Sequence, residues 1–415
     1  MQRDRLAPPY TSSQKENIMS TEKQEQRPAP WHRRVIGLDM HPDVFSAAAL
    51  SGPDALQAEV HWVHDRVTVV QLESWLERHV KPDDLIVIEA SGNTFATVDR
   101  IRAAGRQAIV LESLRAGQIR KAYCNTDKIS AIKLARVYLS GLAHEVWIPD
   151  ETTRARREVL FSHRRTVQDT TRGRNRIKSW LTDHGVRPAR GLRLTQQSGL
   201  DWALKCREWT ATQEMLIRQC FTDLWQAEAR RKKLRAVMAE EVTTDPKLLR
   251  LTRLLGIRHI TAYALAAIIG DINRFRTPKQ LVAYVGLNPR VVLSGNGGSI
   301  GPLAHNGRAD LRVLLIQAAH SILRYGNGPS HKWALKLVCR KGRNLAACAV
   351  ARKLLVACWY LMHGRFTSLH ELSDTIRVKI HKLASAIGAS RVRELGFKSL
   401  ANFEEQKCAL LLNTT

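Results

Sequence analysis

The sequence predicts an α/β domain followed by mostly α-helical domains, and three observations support this fold class. Two short apolar runs, at 35–39 and Leu85–Glu89, have the length and composition of buried strands. From residue 151 onward, long charged segments with helical periodicity replace the strand patterns. The chain of 415 residues also exceeds one ordinary hydrophobic core, so we expect two or three domains.

The two apolar runs share an ending, because each stops on a carboxylate. The first run, Val35-Ile36-Gly37-Leu38, is followed by Asp39, and the second ends at Glu89 before the turn residues Ala90-Ser91-Gly92. Asp39 alone could be an ordinary turn residue. If the two strands are neighbours, however, the two acids lie together at one end of a sheet. Carboxylates held together in this way normally bind a cation.

The order of the remaining N-terminal segments predicts the sheet topology. Two further strands, at 45–50 and 58–63, are joined by a turn and form a meander with the first strand. Helical spacing at 68–79 and 94–104 flanks the second acidic strand, and a fifth strand covers Gln107–Leu111. This is the order of an RNase H-like fold, in which the first and fourth strands are neighbours. Asp39 and Glu89 are therefore expected side by side.

A third acid, Asp127, opens the helix that follows this sheet. It stands in the segment Asn125-Thr126-Asp127-Lys128, directly before apolar residues at helical spacing. An acid in the first helical turn is favoured by the helix dipole, so a structural role is one interpretation. The functional interpretation makes Asp127 a third carboxylate aimed at the acidic end of the sheet.

The charge of the chain indicates a polyanionic partner. There are 65 Lys and Arg residues against 38 Asp and Glu residues, which gives a net charge of +27. Nucleic acid is the first expectation and an anionic membrane surface the second. Aromatic residues make up only 6% of the chain, so phosphate contacts are expected to contribute more than base stacking.

Cysteine usage and the absence of targeting segments bear on the compartment. The seven cysteines include no CxxC pair, and no histidine cluster has ligand spacing, which argues against a zinc site and a disulfide framework. We identify no signal peptide and no long uncharged apolar run, so neither secretion nor membrane spanning is expected. These features predict a reducing cytoplasm.

Shifts in composition predict the domain boundaries. The first 30 residues are polar and are predicted to form a disordered tail, within which Met19 is an alternative start to Met1. We predict five segments: the tail at 1–30, the RNase H-like domain at 31–150, a basic and coiled-coil region at 151–245, a helical domain at 246–366 and an extension at 367–415.

The region at 151–245 begins with a strongly basic helical stretch. Such a run is usually a solvated face, but few acids accompany this one, so a helix that follows a phosphate backbone is at least as good an interpretation. The segment at 187–200 is predicted to be a linker, and 202–242 a long helix that forms a coiled-coil arm or a hairpin with the basic helix. The candidate phosphate ligands are Arg154, Arg157, Arg164, Arg165, Arg172, Arg176 and Lys178.

The helical domain at 246–366 contains two segments of interest. Residues 254–262 read as a helix, a glycine turn and a second helix start, similar to a helix-hairpin-helix that holds a phosphate, although an ordinary tight turn would look alike. Residues 288–301 are glycine-rich and predict a flexible hairpin. The functional alternative makes Ser294 or Ser299 a nucleophile on a mobile loop. Three cations would neutralise the phosphate: Arg290, Arg308 and Arg312.

Taken in this order, the motifs resemble one family. Ile36-Gly37-Leu38-Asp39, Ile88-Glu89-Ala90-Ser91-Gly92 and Asn125-Thr126-Asp127-Lys128 resemble the DEDD motifs of the transposases of insertion-sequence family 110, relatives of the Piv invertase. The C-terminal half adds Leu255-Gly256-Ile257, Tyr284-Val285-Gly286-Leu287-Asn288-Pro289-Arg290, Ser294-Gly295 and Leu311-Arg312. The resemblance covers roughly residues 33–365.

The resemblance implies a fold, a chemistry and partners. It implies a RuvC-like N-terminal domain, a coiled-coil middle and a C-terminal transposase domain. It implies Mg²⁺ held by Asp39, Glu89 and Asp127, and Ser294 as a nucleophile that bonds covalently to DNA. It further implies binding to the DNA of element ends and target, a structured guide RNA, and a homo-oligomer, dimer or tetramer. The expected location is the bacterial cytoplasm, in association with the nucleoid.

One position departs from the family pattern. The family carries a fourth acid three residues after the third, and here that position is Ser130. A neutral hydroxyl can still bind Mg²⁺, but one negative charge fewer weakens the binding of a hard cation. Two alternatives to an active recombinase therefore stay open. One is a metal-dependent structure-specific nuclease that uses water as nucleophile, and the other a nucleic-acid-binding relative with impaired catalysis.

Overall fold

The computed structural model describes residues 34–113, 126–188, 190–294, 297–303, 306–326, 328–365 and 375–413. These residues form two compact units, Met1–Ile148 and Pro149–Thr415, which we call unit 1 and unit 2. The predicted tail at 1–30 and the choice between Met1 and Met19 lie outside the described residues. The predicted domain boundaries at 150, 245 and 366 stay predictions.

Unit 1 contains a mixed five-stranded sheet. Its strands, in chain order, are β1 (Val35–Met40), β2 (Val44–Ser51), β3 (Glu59–Thr68), β4 (Leu85–Glu89) and β5 (Gln107–Leu111). The spatial order is β3-β2-β1-β4-β5, with the first three strands antiparallel and β1, β4 and β5 parallel. The prediction that the first and fourth strands are neighbours is confirmed.

Helices of unit 1 pack against both faces of this sheet. Alternate residues of β1 point to opposite faces, so Ile36 and Leu38 join one hydrophobic cluster and Val35 joins another. Helix α1 (Leu72–His79) packs in the first cluster together with α2 (Thr94–Ala103). Helix α3 (Asp127–Leu139) packs in the second cluster through Ala131, Leu134 and Ala135.

The third strand is longer than predicted. The prediction ended it at residue 63 and began a helix at 68, whereas β3 continues to Thr68 and α1 begins at Leu72 after a short 3₁₀ turn. At the edge of the sheet, most residues of β3 are exposed or half-buried. An edge strand needs no continuous apolar pattern, so its second half carried no signal for a buried strand.

The contact between α3 and β1 depends on Gly37. A Cβ atom built on Gly37 would lie 2.0 Å from the backbone oxygen of Ala131 and 2.9 Å from the backbone nitrogen of Ala135. The backbone of α3 therefore rests directly on the backbone of β1, which only glycine permits. This close approach explains the glycine inside an otherwise apolar strand.

Unit 2 begins with two long antiparallel helices. Helix α4 (Glu151–Asp183) and helix α6 (Ala211–Thr244) are linked along their length by the ion pairs Arg156–Glu241 and Arg174–Glu228. The predicted hairpin of the basic helix with a second long helix is thus confirmed. The predicted linker ends early, because helix α5 (Gln197–Lys205) begins inside it.

The rest of unit 2 is helical around one large hydrophobic cluster. Helix α8 lies in this cluster with ten of its residues buried, and the hairpin of β6 and β7 lies between α9 and α10. The elements are α7 (Pro246–Leu251), α8 (His259–Ile269), α9 (Pro278–Val285), β6 (Pro289–Ser294), β7 (Gly297–Leu303), α10 (Ala309–Tyr325), α11 (Pro329–Lys341), α12 (Arg343–Met362), α13 (Ile376–Ile387), α14 (Ala389–Glu394) and α15 (Leu400–Asn413).

Helix α12 has the length and apolar composition of a membrane-spanning helix. However, 56% of the apolar stretch of this helix is buried inside the fold. The core helix of a folded protein meets the same two criteria, so they are weak evidence for membrane insertion.

Replacing Gly37 by Ala tests the contact between α3 and β1. The added methyl group must displace the backbone of α3, and overpacking of this kind costs about 1–3 kcal/mol. We expect a free energy of unfolding lower by that amount in thermal or urea denaturation.

The matched control is Gly92→Ala in the same unit, where an added Cβ would meet nothing within 4 Å. That variant should change stability by less than about 0.5 kcal/mol. Equal losses in both variants would contradict the proposed role of Gly37.

Candidate functional site

Two of the predicted acids meet at one edge of unit 1, together with a histidine. Ligand atoms of Asp39, His41 and Asp127 all lie within 4.8 Å of one another. The Nε2 atom of His41 is 3.5 Å from Oδ1 of Asp127, and both side chains are about half exposed. We call these three residues the Asp39 cluster. It combines residues from the end of β1, from the following turn and from the first turn of α3.

The start of α3 is held in place by local hydrogen bonds. Thr126 is the N-cap, and its side chain accepts a hydrogen bond from the backbone N–H of Ile129. Lys128 lies 3.4 Å from Asp65 of β3, and the hydroxyl of Ser46 donates to Asp65 over 2.7 Å. This hydrogen bond holds the pKa of Asp65 below its usual range. The first turn of α3 is therefore tied to the sheet, which fixes Asp127 near Asp39.

Glu89 lies on the strand next to Asp39, but the Asp39 cluster does not include its carboxylate. Leu38 pairs with Ile88, so Asp39 and Glu89 are the next residues of adjacent parallel strands. Leu85 and Val87 pack in the cluster that contains α3, and the alternation of a strand puts Glu89 on that same face. The structure thus brings together two of the three predicted acids and puts the third one strand away.

The turn after Glu89 is well ordered by hydrogen bonds. The hydroxyl of Thr94 donates to the backbone oxygen of Glu89 over 3.0 Å, and the amide of Asn93 donates to the backbone oxygen of His41 over 3.3 Å. The predicted turn at 90–92 therefore connects the end of β4 to the turn that carries His41.

Ser130 occupies the position of the missing fourth acid. It lies on α3 three residues after Asp127, on the same helix face, and is only 5% exposed. Its hydroxyl is thus buried against the sheet. The structure supplies no carboxylate at this point of the helix.

The sequence reasoning missed His41. Ligand spacing along the chain does not indicate His41, because its partner Asp127 is distant in sequence and comes close only through the fold. The signal that could have found it is the short spacing of Asp39 and His41 at the end of a buried strand.

The donor set of the Asp39 cluster fits a divalent cation. Two carboxylates supply the oxygen ligands that hard cations prefer, and the imidazole adds a nitrogen that Mn²⁺ and similar ions accept readily. Like-charged carboxylates held this closely also repel each other unless a positive charge lies between or beside them. The cluster is therefore a candidate metal site.

The predicted serine segment forms a regular hairpin in unit 2. Strands β6 and β7 are antiparallel, Ser294 pairs with Gly297 at the far end, and Ser299 pairs with Val292. The segment that the sequence interpreted as a flexible hairpin or mobile loop is thus a β-hairpin. Gly295 and Asn296 lie outside the described residues.

The base of this hairpin is closed by two glycines. Gly286 ends α9 with a φ of +77°, and an added Cβ would lie 2.1 Å from the backbone oxygen of Asn306. Gly307 has a φ of +91°, and an added Cβ would lie 2.6 Å from the backbone oxygen of Tyr284. The guanidinium of Arg312 donates to the backbone oxygens of Val285 and Asn306, each over 3.1 Å. The two ends of the hairpin are therefore held together.

Comparison of the sequence with known proteins gives a family match that covers the hairpin. The family described as Transposase IS116/IS110/IS902 matches residues 249–334. A probable family 20 transposase from Pseudomonas aeruginosa is 26% identical over 341 residues, which cover 79% of this chain and 96% of that protein. The transposase for insertion sequence element IS1111A from Coxiella burnetii is 28% identical over 202 residues, which cover 48% and 56%.

Residues 249–334 are thus identified as IS110/IS116/IS902-type transposase sequence, and the chain is similar to a transposase over 79% of its length. The family resemblance read from the sequence is thus confirmed. Membership in a transposase family implies phosphoryl transfer on DNA and therefore DNA binding. The matched region contains the whole hairpin and its base.

Ten cations of this transposase are predicted to contact nucleic acid, and the structure separates them into two sets. Six are exposed: Arg164, Arg165, Arg172, Arg176, Lys178 and Arg290. The other four are half-buried and bound within the fold: Arg154, Arg157, Arg308 and Arg312.

The half-buried cations have structural partners. Arg157 donates to the backbone oxygens of Ala267 and Ile268 and so caps the end of α8. Arg308 forms an ion pair with Asp310, with a closest distance of 2.7 Å. Their predicted contacts with nucleic acid stay predictions, but sequence alone did not indicate these internal partners.

The glycine turn before α8 is also confirmed. Gly256 has a φ of +83°, and an added Cβ would lie 2.7 Å from the backbone oxygen of Ala318 in α10. The turn is thus packed directly onto a neighbouring helix. Whether it binds a phosphate, as a helix-hairpin-helix would, stays a prediction.

Replacing Gly286 by Ala tests the base of the hairpin in this transposase. The left-handed conformation alone disfavours a non-glycine residue by about 1–2 kcal/mol. The clash with Asn306 adds to this, so we expect a larger loss of stability in urea denaturation.

Gly185→Ala is the matched control, because Gly185 has a φ of +78° and an added Cβ there would meet nothing within 4 Å. This variant should lose only the free energy of unfolding that the left-handed conformation costs a non-glycine residue. If the two variants lose the same free energy of unfolding, the packing at Gly286 does not hold the hairpin base.

Proposed function

We propose that this transposase cuts and rejoins DNA strands with a serine nucleophile and Mg²⁺. In this proposal Ser294 is the nucleophile, and Asp39, Glu89 and Asp127 hold the metal ion, with Ser130 as a neutral ligand. The observation that carries the proposal is the meeting of Asp39 with Asp127 beside His41 in a transposase-family chain.

Unit 1 is proposed to have an RNase H-like, RuvC-like fold. The support is the strand order β3-β2-β1-β4-β5, with an antiparallel meander followed by two parallel strands. Helix α3 on one face carries an acid toward the end of β1. In open sheets of this kind, ligands bind beyond the carboxyl ends of the parallel strands, where Asp39 and Glu89 lie.

The proposed metal would supply two effects when bound: it would neutralise charge that develops on the phosphate and would favour the deprotonated form of an attacking hydroxyl. Asp39 and Asp127 contribute negative charge that attracts the cation, and His41 contributes a nitrogen donor. Glu89 follows Ile88 on the adjacent parallel strand, which supports its proposed role as a further ligand. Magnesium is proposed because carboxylate oxygens dominate the set.

The proposed serine step exchanges one phosphodiester bond for another. The Ser294 oxygen attacks the DNA phosphorus and loses its proton, while the bond from phosphorus to one sugar oxygen breaks. The displaced sugar oxygen leaves as a hydroxyl after taking up a proton. Attack by a sugar hydroxyl of another strand reverses these changes and releases the serine. The number of phosphodiester bonds is conserved, so rejoining requires no ATP.

The partners in this proposal are the DNA of element ends and target, a structured guide RNA and further copies of the chain. The net charge of +27 and the exposed cations of α4 support binding to polyanions. A homo-oligomer, dimer or tetramer, would let Ser294 of one subunit serve the acids of another. The proposed location is the bacterial cytoplasm, at the nucleoid.

A second candidate function is a nucleic-acid binder with impaired catalysis. The observation that favours it is Ser130, a buried hydroxyl where the family carries its fourth acid. With one carboxylate fewer, the affinity for a hard cation falls.

Replacing Ser294 by Ala tests the nucleophile. Removing the hydroxyl leaves no oxygen to form the phosphodiester, so we expect loss of any covalent protein–DNA adduct and of strand exchange. The adduct is measured by denaturing electrophoresis of labelled DNA after incubation with Mg²⁺.

Ser299→Ala is the control, because Ser299 lies on the same hairpin and was the alternative nucleophile. It should retain both activities. An adduct that persists without the Ser294 hydroxyl would remove this residue from the role, and hydrolysed ends with no adduct in the wild type would favour the nuclease.

Replacing Ser130 by Asp tests the metal site. A buried carboxylate without a partner is unfavourable, so we expect the melting temperature of Ser130→Asp in EDTA to fall below that of the wild type. Saturating Mg²⁺ should reverse this loss, and the affinity for Mg²⁺ or Mn²⁺ in calorimetry should rise by about tenfold or more.

The matched control is Ser130→Asn, which has the same size as the Asp variant but no charge. It should gain no metal affinity. Equal Mg²⁺ affinity in the two variants would show that position 130 does not face the cation.

A further inference from the structure

Unit 2 contains a basic cavity that the proposed chemistry does not use. Its volume is about 860 Å³, within the range of about 300–1,000 Å³ that is usual for ligand sites. Its walls come from α4, from α6, from the start of α8 and from α13, for which the sequence suggested no function. We call it the Arg235 cavity, after the arginine that α6 contributes.

The charges that line the Arg235 cavity are unbalanced. Among the described residues of its wall, Glu228 is the one carboxylate, and it already pairs with Arg174 and Arg231, which also line the cavity. Five further cations form the remaining charged wall: Lys232, Arg235, Arg258, Lys379 and Lys382. Within the part of the chain that the structure describes, no carboxylate lies within ion-pair distance of these five.

Two buried polar groups of the wall lack a partner. His259 is only 6% exposed, and its Nε2 atom has no hydrogen-bond partner among the described residues. The Nε atom of Arg235 is buried and equally without a partner in the described part of the chain. Buried polar atoms are nearly always hydrogen-bonded in folded proteins, so such atoms in the wall of a cavity indicate a missing ligand.

The electrostatics of the wall agree with this geometry. Burial and the nearby Arg258 lower the pKa of Lys379 to about 7, although its ammonium donates to the backbone oxygens of Thr252 and Leu254. Burial and the nearby Arg235 lower the pKa of His259 to about 4. The cations in the cavity therefore repel one another, and a bound anion would relieve that repulsion.

The chemistry of the wall selects among anions. The lining residues that the structure describes include no Phe, Tyr or Trp, so they offer no platform for base stacking. Arginines and lysines with no carboxylate partner match phosphate oxygens, and a neutral imidazole can donate one further hydrogen bond. The backbone N–H groups and dipole at a helix start also favour an anion, and Arg258 and His259 stand at the N-terminus of α8.

We propose that the Arg235 cavity binds phosphate groups of a nucleic-acid backbone. It belongs to unit 2, whereas the Asp39 cluster, a candidate cation site, belongs to unit 1, so the cavity is a separate site of this transposase. The phosphates come from either RNA or DNA, because the wall recognises the backbone and not the bases. The proposal rests on the proposed function only in taking nucleic acid as the polyanion.

The test replaces two lysines at the rim of the cavity. Lys232 and Lys382 are exposed, so Lys232→Gln combined with Lys382→Gln should leave the fold intact. The matched control combines Lys233→Gln with Arg377→Gln, which removes the same charge from the same two exposed helix surfaces outside the cavity wall. Binding of the full chain to labelled RNA and DNA of equal length is measured in EDTA, by fluorescence anisotropy over a series of salt concentrations.

For the cavity variant we expect at least about a fivefold loss of affinity for one of the two nucleic acids. Loss of two phosphate contacts should also lower the slope of log K against log salt by about 1.4–1.8. The control should stay within about twofold of the wild type. The nucleic acid whose binding falls more identifies the source of the phosphates.

Two results would overturn the proposal: an equal loss in the cavity variant and its control, or no loss in either nucleic acid. We expect inorganic phosphate to raise the melting temperature of the wild type, and a further variant, Arg235→Gln, should weaken nucleic-acid binding and lose that rise. Because EDTA removes any metal, these measurements do not depend on Ser294 or on the acids. Failure of the recombinase proposal is read separately, from the covalent adduct.

Discussion

The candidate site of unit 1 depends on one close backbone contact, between helix α3 and strand β1 at Gly37. Because Gly37 has no side chain, the backbone oxygen of Ala131 can lie against the strand. Asp39 lies two residues beyond Gly37, and Asp127 lies one helical turn before Ala131. A single steric condition therefore decides whether the two carboxylates come within reach of each other. The ion pair of Lys128 with Asp65 adds a second attachment of the same helix end to the sheet.

Much of unit 1 could be predicted because its signals are local. Residues 35–39 and Leu85–Glu89 are apolar runs short enough to be strands, and the order of elements was sufficient to make β1 and β4 neighbours. The segment at 125–128 marked the start of α3, where the structure has Thr126 as the N-cap. The sequence missed contacts between residues that are distant along the chain, and it missed strand residues with a weak apolar pattern. His41 joins Asp127 only through the fold, and β3 continues along an exposed edge where apolar alternation fades.

Composition predicted less about unit 2, because it cannot say which charges are already satisfied within the fold. Arg157 and Arg312 looked like phosphate ligands, yet each donates to backbone oxygens at the end of a helix or at the base of the hairpin. Lys232 and Lys382 carried no motif, yet they meet at one cavity from distant parts of the chain. A long-range partner leaves no trace in sequence spacing. The glycines were more informative, since Gly286 marks a turn that only a left-handed residue can make.

The cations behind the net charge of +27 fall into three sets, which differ in the partners they have within the fold. Cations that close helix ends or pair with Asp310 already have partners within the fold and stabilise it. Cations on the exposed face of α4 are hydrated and screened by salt, so they attract a polyanion without fixing its position. Arg235 and Arg258 differ from both sets, because they share a concave wall without carboxylate partners among the described residues. In the proposed anion site, cations gathered in one concave wall can contact several phosphates of one backbone at once, and such contacts fix the register of that backbone.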